Sequence, residues 1–188
     1  MPPAATGFPE GFDAGPTLAG PTLSLAPLIE GDIDALVAAA SDRRIWAQHP
    51  SPDRYKAEVA RPYFQGLLAG GGTLTARRAG GAVGVSRFYP APDIQGSVSI
   101  GFTFLIRALW GGRANAEMKE LMLGHAFEAV DTVWFHIGPD NIRSQKATEK
   151  IGATRAHEAK IDIGRGPVRM VCYALTRKQW TAGRAGFE

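Results

Sequence analysis

The run from Ser97 to Val130, SVSIGFTFLIRALWGGRANAEMKELMLGHAFEAV, limits the possible folds more than any other part of the chain. Val98, Ile100, Phe102, Phe104 and Ile106 recur at every second residue, the period of a strand with one buried face. Gly111 and Gly112 then supply backbone without side chains. From about Ala114 the pattern becomes helical, with Met118, Leu121, Met122 and Phe127 at helical spacing. A strand that passes through a bare turn into a helix aims several N–H groups at one point. The helix dipole adds about half a positive charge there, so the turn is suited to an anion.

The totals restrict what else the chain can be. Its 188 residues suffice for one domain with a substantial core. Hydrophobic residues make up 45% and charged residues 21%, as in ordinary globular proteins. No apolar run approaches the ~20 residues of a membrane span. The opening MPPAATGFPEGFDAGPTLAGP has neither a basic n-region nor an apolar h-region, so a cytoplasmic protein is expected. The net charge of +3 comes from scattered Lys and Arg without a basic run, which argues against nucleic acid as a partner. Cys172 is the only cysteine, so an internal disulfide and a cysteine-rich zinc site are excluded, and no metal is expected.

In chain order, residues 1–17 are rich in Pro, Gly and Ala without a period and read as a loose tail before a domain over 18–188. Thr22 to Leu28 alternates as a first strand. Asp32 stands as N-cap of a helix over IDALVAAA. Ser41 to Ser51 holds Trp46 and His49, and Tyr55 to Leu68 reads as a second helix, bent or restarted at Pro62 and ended by Gly70-Gly71-Gly72. Thr73 to Arg77 and Ala82 to Phe88 form a hairpin around Arg78-Ala79-Gly80-Gly81. A loop at Pro90-Ala91-Pro92-Asp93 leads to the central strand and helix. Thr132 to Ile137 is a short apolar strand of the buried kind. Asn141 opens a helix that Gly152 stops, and Arg155 to Ile163 pairs with Val168 to Leu175 around Gly164-Arg165-Gly166. The order β-α-α-β-β-β-α-β-α-β-β describes a single α/β domain with a mixed sheet.

Two stretches together carry a family likeness. SIGFTFLIRALWGGRANAEMKELMLGHAFE and DNIRSQKATEKIGATR resemble, in order and spacing, the GCN5-related N-acetyltransferase (GNAT) superfamily, in the branch like the ribosomal-protein alanine N-acetyltransferases. The resemblance covers about residues 20–181. It implies an α+β domain with a mostly antiparallel sheet, splayed central strands and flanking helices. It also implies acetyl transfer from acetyl-coenzyme A to a primary amine, a peptide N-terminus or a small amine, by a monomer or homodimer without nucleic acid or membrane. Protein N-termini are favoured, because Asp53 and Asp93 are the only acidic residues near the acceptor loops.

By the same resemblance the bare turn takes the coenzyme's pyrophosphate on N–H groups of Gly111, Gly112, Arg113, Ala114 and Asn115. The main chain of Phe104, Leu105 and Ile106 pairs with the pantetheine arm as an added strand would. Arg113 either pairs with a phosphate or points to solvent, and Ala108 stands where the family more often has Arg or Gln. Asn141 either bonds the pantetheine arm or caps its helix. Ser144 lies one turn on, and Lys146 either reaches the phosphates or stays exposed.

Catalysis has fewer markers. The amine must be uncharged to attack, so a base is needed, and a donor at the leaving sulfur would help. Many relatives place Glu before the Ile-Gly of the central strand, where this chain has Ser99. His136 and His49 are the candidate bases, each also readable as structural, and Ser144 is the candidate acid. Trp46 and His49 belong to the segment that lines the acceptor pocket in this family. Cys172 sits in an alternating strand and is expected to be packing. An alternative function is coenzyme binding without turnover, as a sensor or assembly module, motivated by Ser99, Ala108 and Arg113.

Overall fold

A computed structural model describes residues 7–91, 94–162 and 166–185 of the chain. The elements in order are β1 (Leu18–Ala19), β2 (Ser24–Pro27), α1 (Ile33–Ala39), α2 (Arg43–Trp46), α3 (Ala57–Gly70), β3 (Thr73–Arg78), β4 (Gly81–Tyr89), β5 (Val98–Leu105), α4 (Ala114–Ala129), β6 (Thr132–Ile137), α5 (Ile142–Lys150), β7 (Thr154–Asp162), β8 (Pro167–Thr176) and α6 (Arg177–Ala185). The strands follow the order β1-β2-β3-β4-β5-β6-β8-β7. β5 and β6 are parallel, whereas β1-β2, β2-β3, β3-β4, β6-β8 and β7-β8 are antiparallel. The mixed, mostly antiparallel sheet is thus as the sequence predicts. To that reading the structure adds β1, the short helix α2 and the closing helix α6. The predicted loop residues Pro92, Asp93, Gly164 and Arg165 lie outside the described residues, as do residues 1–6 of the expected tail.

Two compact units are present, Asp13–Phe88 with Phe102–Met122, and Tyr89–Gly101 with Leu123–Glu188 and Met1–Phe12. In the first, α1, α2 and α3 bury Ile33, Leu36, Ile45, Trp46, Phe64 and Leu67 with Val85 and Phe104 in one cluster. Burying each large side chain contributes about 1.5–3 kcal/mol, and this cluster fixes the floor on which β4 and the end of β5 lie. α3 runs on through Pro62. The β3-β4 turn places Ala79 at φ 49° and Gly80 at φ 80°, the paired left-handed residues that match the twist of a two-residue hairpin.

Asp32 does not act as the predicted N-cap. It directly precedes α1 but accepts no capping bond from that helix. Its carboxylate is 4% exposed; it accepts from Thr75 Oγ1 at 2.8 Å and pairs with Arg77. A buried carboxylate needs a cation and hydrogen-bond donors more than it needs a helix end.

In the second unit, β8 is the central ladder. It pairs with β6 through Val133↔Leu175 to Ile137↔Val171 and with β7 through Thr154↔Ala174 to Asp162↔Pro167. Val133, Phe135, Ile137 and Tyr173 are buried, and the Phe127 ring of α4 meets Trp180 of α6 at 5.1 Å between centroids. Cys172 is fully buried beside Ile161 and Met170.

The even spacing of β5 holds through Val98 and Ile100, which are buried, and then fails. Phe102 has φ 53°. A left-handed residue inside a strand turns the following side chains out of register, so that Phe104 and Leu105 are both buried, at 5% each.

Candidate active site

The bare turn begins where β5 ends. Residues 107–109 form a 3-10 turn, Gly111 takes φ 75°, and α4 starts at Ala114. Nothing lies within 4 Å of where a Cβ on Gly111 would stand. Glu117 donates the first helical N–H bond, to Arg113 C=O at 2.8 Å, so Ala114, Asn115 and Ala116 precede the first rung of the ladder. A groove of about 490 Å³ lies here, lined among others by Arg78, Trp110, Gly112, Arg113 and Glu117. Arg113 is exposed. Glu117 is already engaged, accepting from Thr22 N–H at 2.7 Å, Leu23 N–H at 2.8 Å and the Thr22 hydroxyl at 2.5 Å. Open backbone, a helix start and two guanidinium groups fit a pyrophosphate.

Ile106 donates its N–H to Val83 C=O at 2.9 Å. Successive residues of a strand aim their polar groups at opposite edges, so Leu105 faces the other edge. There its C=O accepts from the Trp110 indole at 3.0 Å. Phe104 packs its ring on Trp46 at 5.3 Å and on Phe64 at 5.8 Å. The side chains of this strand end are therefore core, and only the main chain can serve a ligand.

In the other unit, β5 and β6 pair at Val98↔Val133 and Ser99↔Trp134 and at no later position. β6 nevertheless continues to Ile137, still paired with β8. Within this unit the parallel strands are joined at their starts only. Tyr89 occupies this point. A Cβ on Gly101 would stand 2.9 Å from the Tyr89 ring, and the Tyr89 hydroxyl lies 2.9 Å from His136 Nδ1. His136 Nε2 is buried. Ser99 is fully buried, and its hydroxyl has no partner among the described residues.

Asn141 accepts the Ser144 N–H on its side-chain oxygen at 3.2 Å, which makes it the N-cap of α5. A cap of this kind uses Oδ1 alone; the amide nitrogen of the same side chain keeps its two donors. The two roles that the sequence sets against each other for Asn141 are thus chemically compatible. Ser144 is half-buried and Lys146 exposed. Gln145, which the sequence reading passed over, donates to Gly138 C=O at 3.2 Å and to Pro139 C=O at 2.8 Å. Tyr173 donates to its oxygen at 3.3 Å and to Glu149 at 3.0 Å. That network fixes the loop ahead of Asn141.

Trp46 and His49 lie together, their rings edge-on at 5.6 Å. Trp46 is 3% exposed and donates its indole N–H to Ala40 C=O at 2.8 Å. His49 Nδ1 accepts from Ser51 N–H at 3.0 Å, and Arg54 Nη1 stands 3.0 Å from Nε2. The Arg54 guanidinium is buried and lies 3.7 Å over the Tyr63 ring. Both ring nitrogens of His49 thus face donors, and Arg54 is a group the sequence did not single out.

Lys119 is the other unforeseen residue. It follows the turn on α4, is 8% exposed, and reaches Thr103 Oγ1 at 2.9 Å and Ser86 Oγ at 3.4 Å. Burial lowers its pKa from 10.5 to about 7. Among the described residues no group of His, Cys, Asp and Glu could hold a metal ion, and no helix is long and apolar enough to cross a membrane.

Residues 22–154 match the family model described as an acetyltransferase (GNAT) domain. Solved structures of similar fold include a GCN5-related N-acetyltransferase from Brucella melitensis, 16% identical over 96% of this chain and 87% of that one, with a TM-score of 0.76. RimJ of Mycobacterium smegmatis in complex with CoA-disulfide is 16% identical, covering 96% and 97%, with a TM-score of 0.66. RimL, described as a ribosomal L7/L12 alpha-N-protein acetyltransferase in complex with coenzyme A, is 18% identical, covering 86% and 98%, with a TM-score of 0.65. No curated protein matches the chain in sequence.

Proposed function

The chain belongs to the acetyltransferase (GNAT) family and is an acetyl-coenzyme A-dependent N-acetyltransferase, and on that premise we propose that its acceptor is the α-amine at a protein or peptide N-terminus, acetylated by direct attack in a ternary complex. The observation that carries the choice of acceptor is the Trp46, His49, Arg54 and Tyr63 cluster. Trp46, His49 and Arg54 lie in the segment that the sequence resemblance gives to the acceptor, Tyr63 of α3 packs against them, and the cluster is built of aromatic rings and a buried guanidinium, not carboxylates. Asp53 is held by Lys56 at 3.4 Å, and Asp42 by Arg107 at 2.6 Å. Polyamines and aminoglycosides, as polycations, need uncompensated acidic groups. RimL, a protein of similar fold, is by its description an α-N-protein acetyltransferase.

Bound acetyl-coenzyme A supplies an activated thioester carbonyl. By the family resemblance, the open turn at 111–115 and Arg113 would hold its phosphates, the main chain of Phe104 to Ile106 would take the arm, and Asn141 would donate to it through its amide nitrogen. His136 accepts the proton that the amine must lose. Ser144, at the start of α5, would donate to the leaving sulfur. His49, committed to Arg54 and Ser51, shapes the acceptor side.

A thiol-release assay with acetyl-coenzyme A tests the acceptor. Free-amine peptides should be turned over, while their Nα-blocked forms, spermidine and an aminoglycoside should not. Preferred turnover of either polycation would reject the reading. A second reading, coenzyme binding without turnover, has one observation behind it: Ser99 is sealed in the fold where relatives often carry an acid. It requires thermal stabilisation by coenzyme A and no thiol release with any acceptor.

A further inference from the structure

We propose that Tyr89 is a catalytic residue: its hydroxyl carries the proton of the acceptor amine to His136, whose Nδ1 it covers. The proposal rests on the reading of His136 as the base. His136 has two ring nitrogens by which a proton can arrive. Nε2 is buried in the fold, which closes that side. Nδ1 faces the Tyr89 hydroxyl at 2.9 Å, with the two rings tilted at 53° and 5.8 Å apart. A proton bound for the imidazole therefore passes through the phenol.

The placement of Tyr89 fits the role. It is the last residue of β4. Its ring lies against the bare Cα of Gly101, where any side chain would stand 2.9 Å from the ring. Gly101 lies two residues beyond Ser99, the last residue of β5 that pairs with β6, and precedes the left-handed Phe102. Tyr89 thus bridges the two strands by side chain where their backbones part, which is where the family resemblance brings the pantetheine arm.

The transfer balances. The ammonium loses one proton to the Tyr89 oxygen while the Tyr89 hydroxyl proton moves to His136 Nδ1. The phenol ends as it began, the imidazole becomes imidazolium, and the amine lone pair is freed to attack. Nδ1 must be the lone-pair nitrogen beforehand, so the neutral ring carries its hydrogen on Nε2. Among titratable groups, Tyr89 lies against the ring and Cys172 is its cross-strand neighbour on β8; His157 stands one strand further, opposite Cys172.

Tyr89→Phe, His136→Gln and the double variant are the test, assayed with acetyl-coenzyme A and the preferred amine. General acid–base groups are worth about 10²–10⁴-fold. Each single variant is expected to lose at least about 10²-fold in kcat/KM, with coenzyme A affinity within about twofold of wild type. The double variant should fall no further, because the two act as one unit. The acid limb of the wild-type pH profile should vanish in both. A Tyr89→Phe enzyme within about threefold of wild type, or losses that multiply, would overturn the relay. If His136→Gln alone kept full activity, the assignment of the base would fall with it. Nitrogen NMR of His136 reads the relay without turnover. The expected ring is the Nε2–H tautomer with an Nδ1 signal that moves in Tyr89→Phe, and the Nδ1–H tautomer in the wild type would refute it.

Discussion

Lys119→Met should make this protein more stable at neutral pH, although it removes a side chain with two hydrogen-bond partners. The lysine is sealed under α4, and burial lowers its pKa from 10.5 to about 7. The gap of about 3.5 pH units, at about 1.4 kcal/mol each, puts an upper limit of about 5 kcal/mol on the cost of keeping a charge there. Above pH 10.5 the amine is neutral in both states and the cost is absent. Between 10.5 and about 7 the unfolded chain holds a proton that the folded chain has lost, so stability falls as pH falls, and below 7 the full cost applies. Methionine has a similar length and no charge. Ser86 and Thr103 lie 2.7 Å apart and keep each other, so the main polar loss is the lysine's 2.9 Å bond to Thr103, about 1 kcal/mol, the 3.4 Å contact with Ser86 being weak. The net gain is then about 3–4 kcal/mol at pH 7 and about 1 kcal/mol at pH 9. Urea unfolding at pH 6, 7, 8 and 9 measures both the gain and its decline. A Lys119→Met protein less stable than wild type at pH 7, with an unchanged pH slope, would refute the reasoning, since it would mean that the amine stays charged and well compensated.

Three further outcomes follow from single sites. Gly84→Ala would set a Cβ 2.1 Å from Phe104 C=O, and backbone cannot step aside as a side chain can; a loss of about 3 kcal/mol is expected in urea unfolding. Ala79→Asn should gain about 0.5–1 kcal/mol, because Ala79 holds φ 49° in a turn that asparagine adopts at lower cost; thermal melting should rise by a few degrees. Burial works to raise the pKa of Glu117, but the bonds from Thr22 and Leu23 outweigh it and hold it below the usual 4.5. Its contribution is present above pH 4.5 and is lost as pH falls through the lower folded value, so Glu117→Gln should cost about 1–2 kcal/mol at pH 7 and flatten the acid limb of stability.

Much of the fold was legible because backbone chemistry repeats. The alternation of β5, the glycines before α4 and the Gly80 turn each state a local conformation that few other residues permit. The departures occur where a side chain answers to distant partners. Asp32 has the residue type and position of an N-cap, yet Thr75 and Arg77, more than forty residues away in sequence, claim its carboxylate. The register break at Phe102 has no marker in an apolar run that otherwise alternates. Helix α2 is one turn long, too short for a period to declare itself.

The same division separates cofactor binding from proton transfer. A turn suited to a pyrophosphate needs little beyond exposed N–H groups, so glycine, a helix start and their spacing suffice to propose one. Proton transfer depends instead on which hydroxyl meets which ring nitrogen, and the sequence separation of 47 between Tyr89 and His136 hides that meeting. One sequence signal does bear on it. Gly101 sits within an apolar strand, where a missing side chain marks a close approach by something else. In this chain that approach is the Tyr89 ring. A Gly101→Ala change should therefore act at a distance: the methyl group would push the ring away and lengthen the bond to His136. It should lower kcat/KM toward the Tyr89→Phe level while leaving the helix start and turn proposed to hold the phosphates, and hence coenzyme A affinity, as they are. An alanine variant that kept full turnover would show that Tyr89 tolerates displacement and has no part in the chemistry.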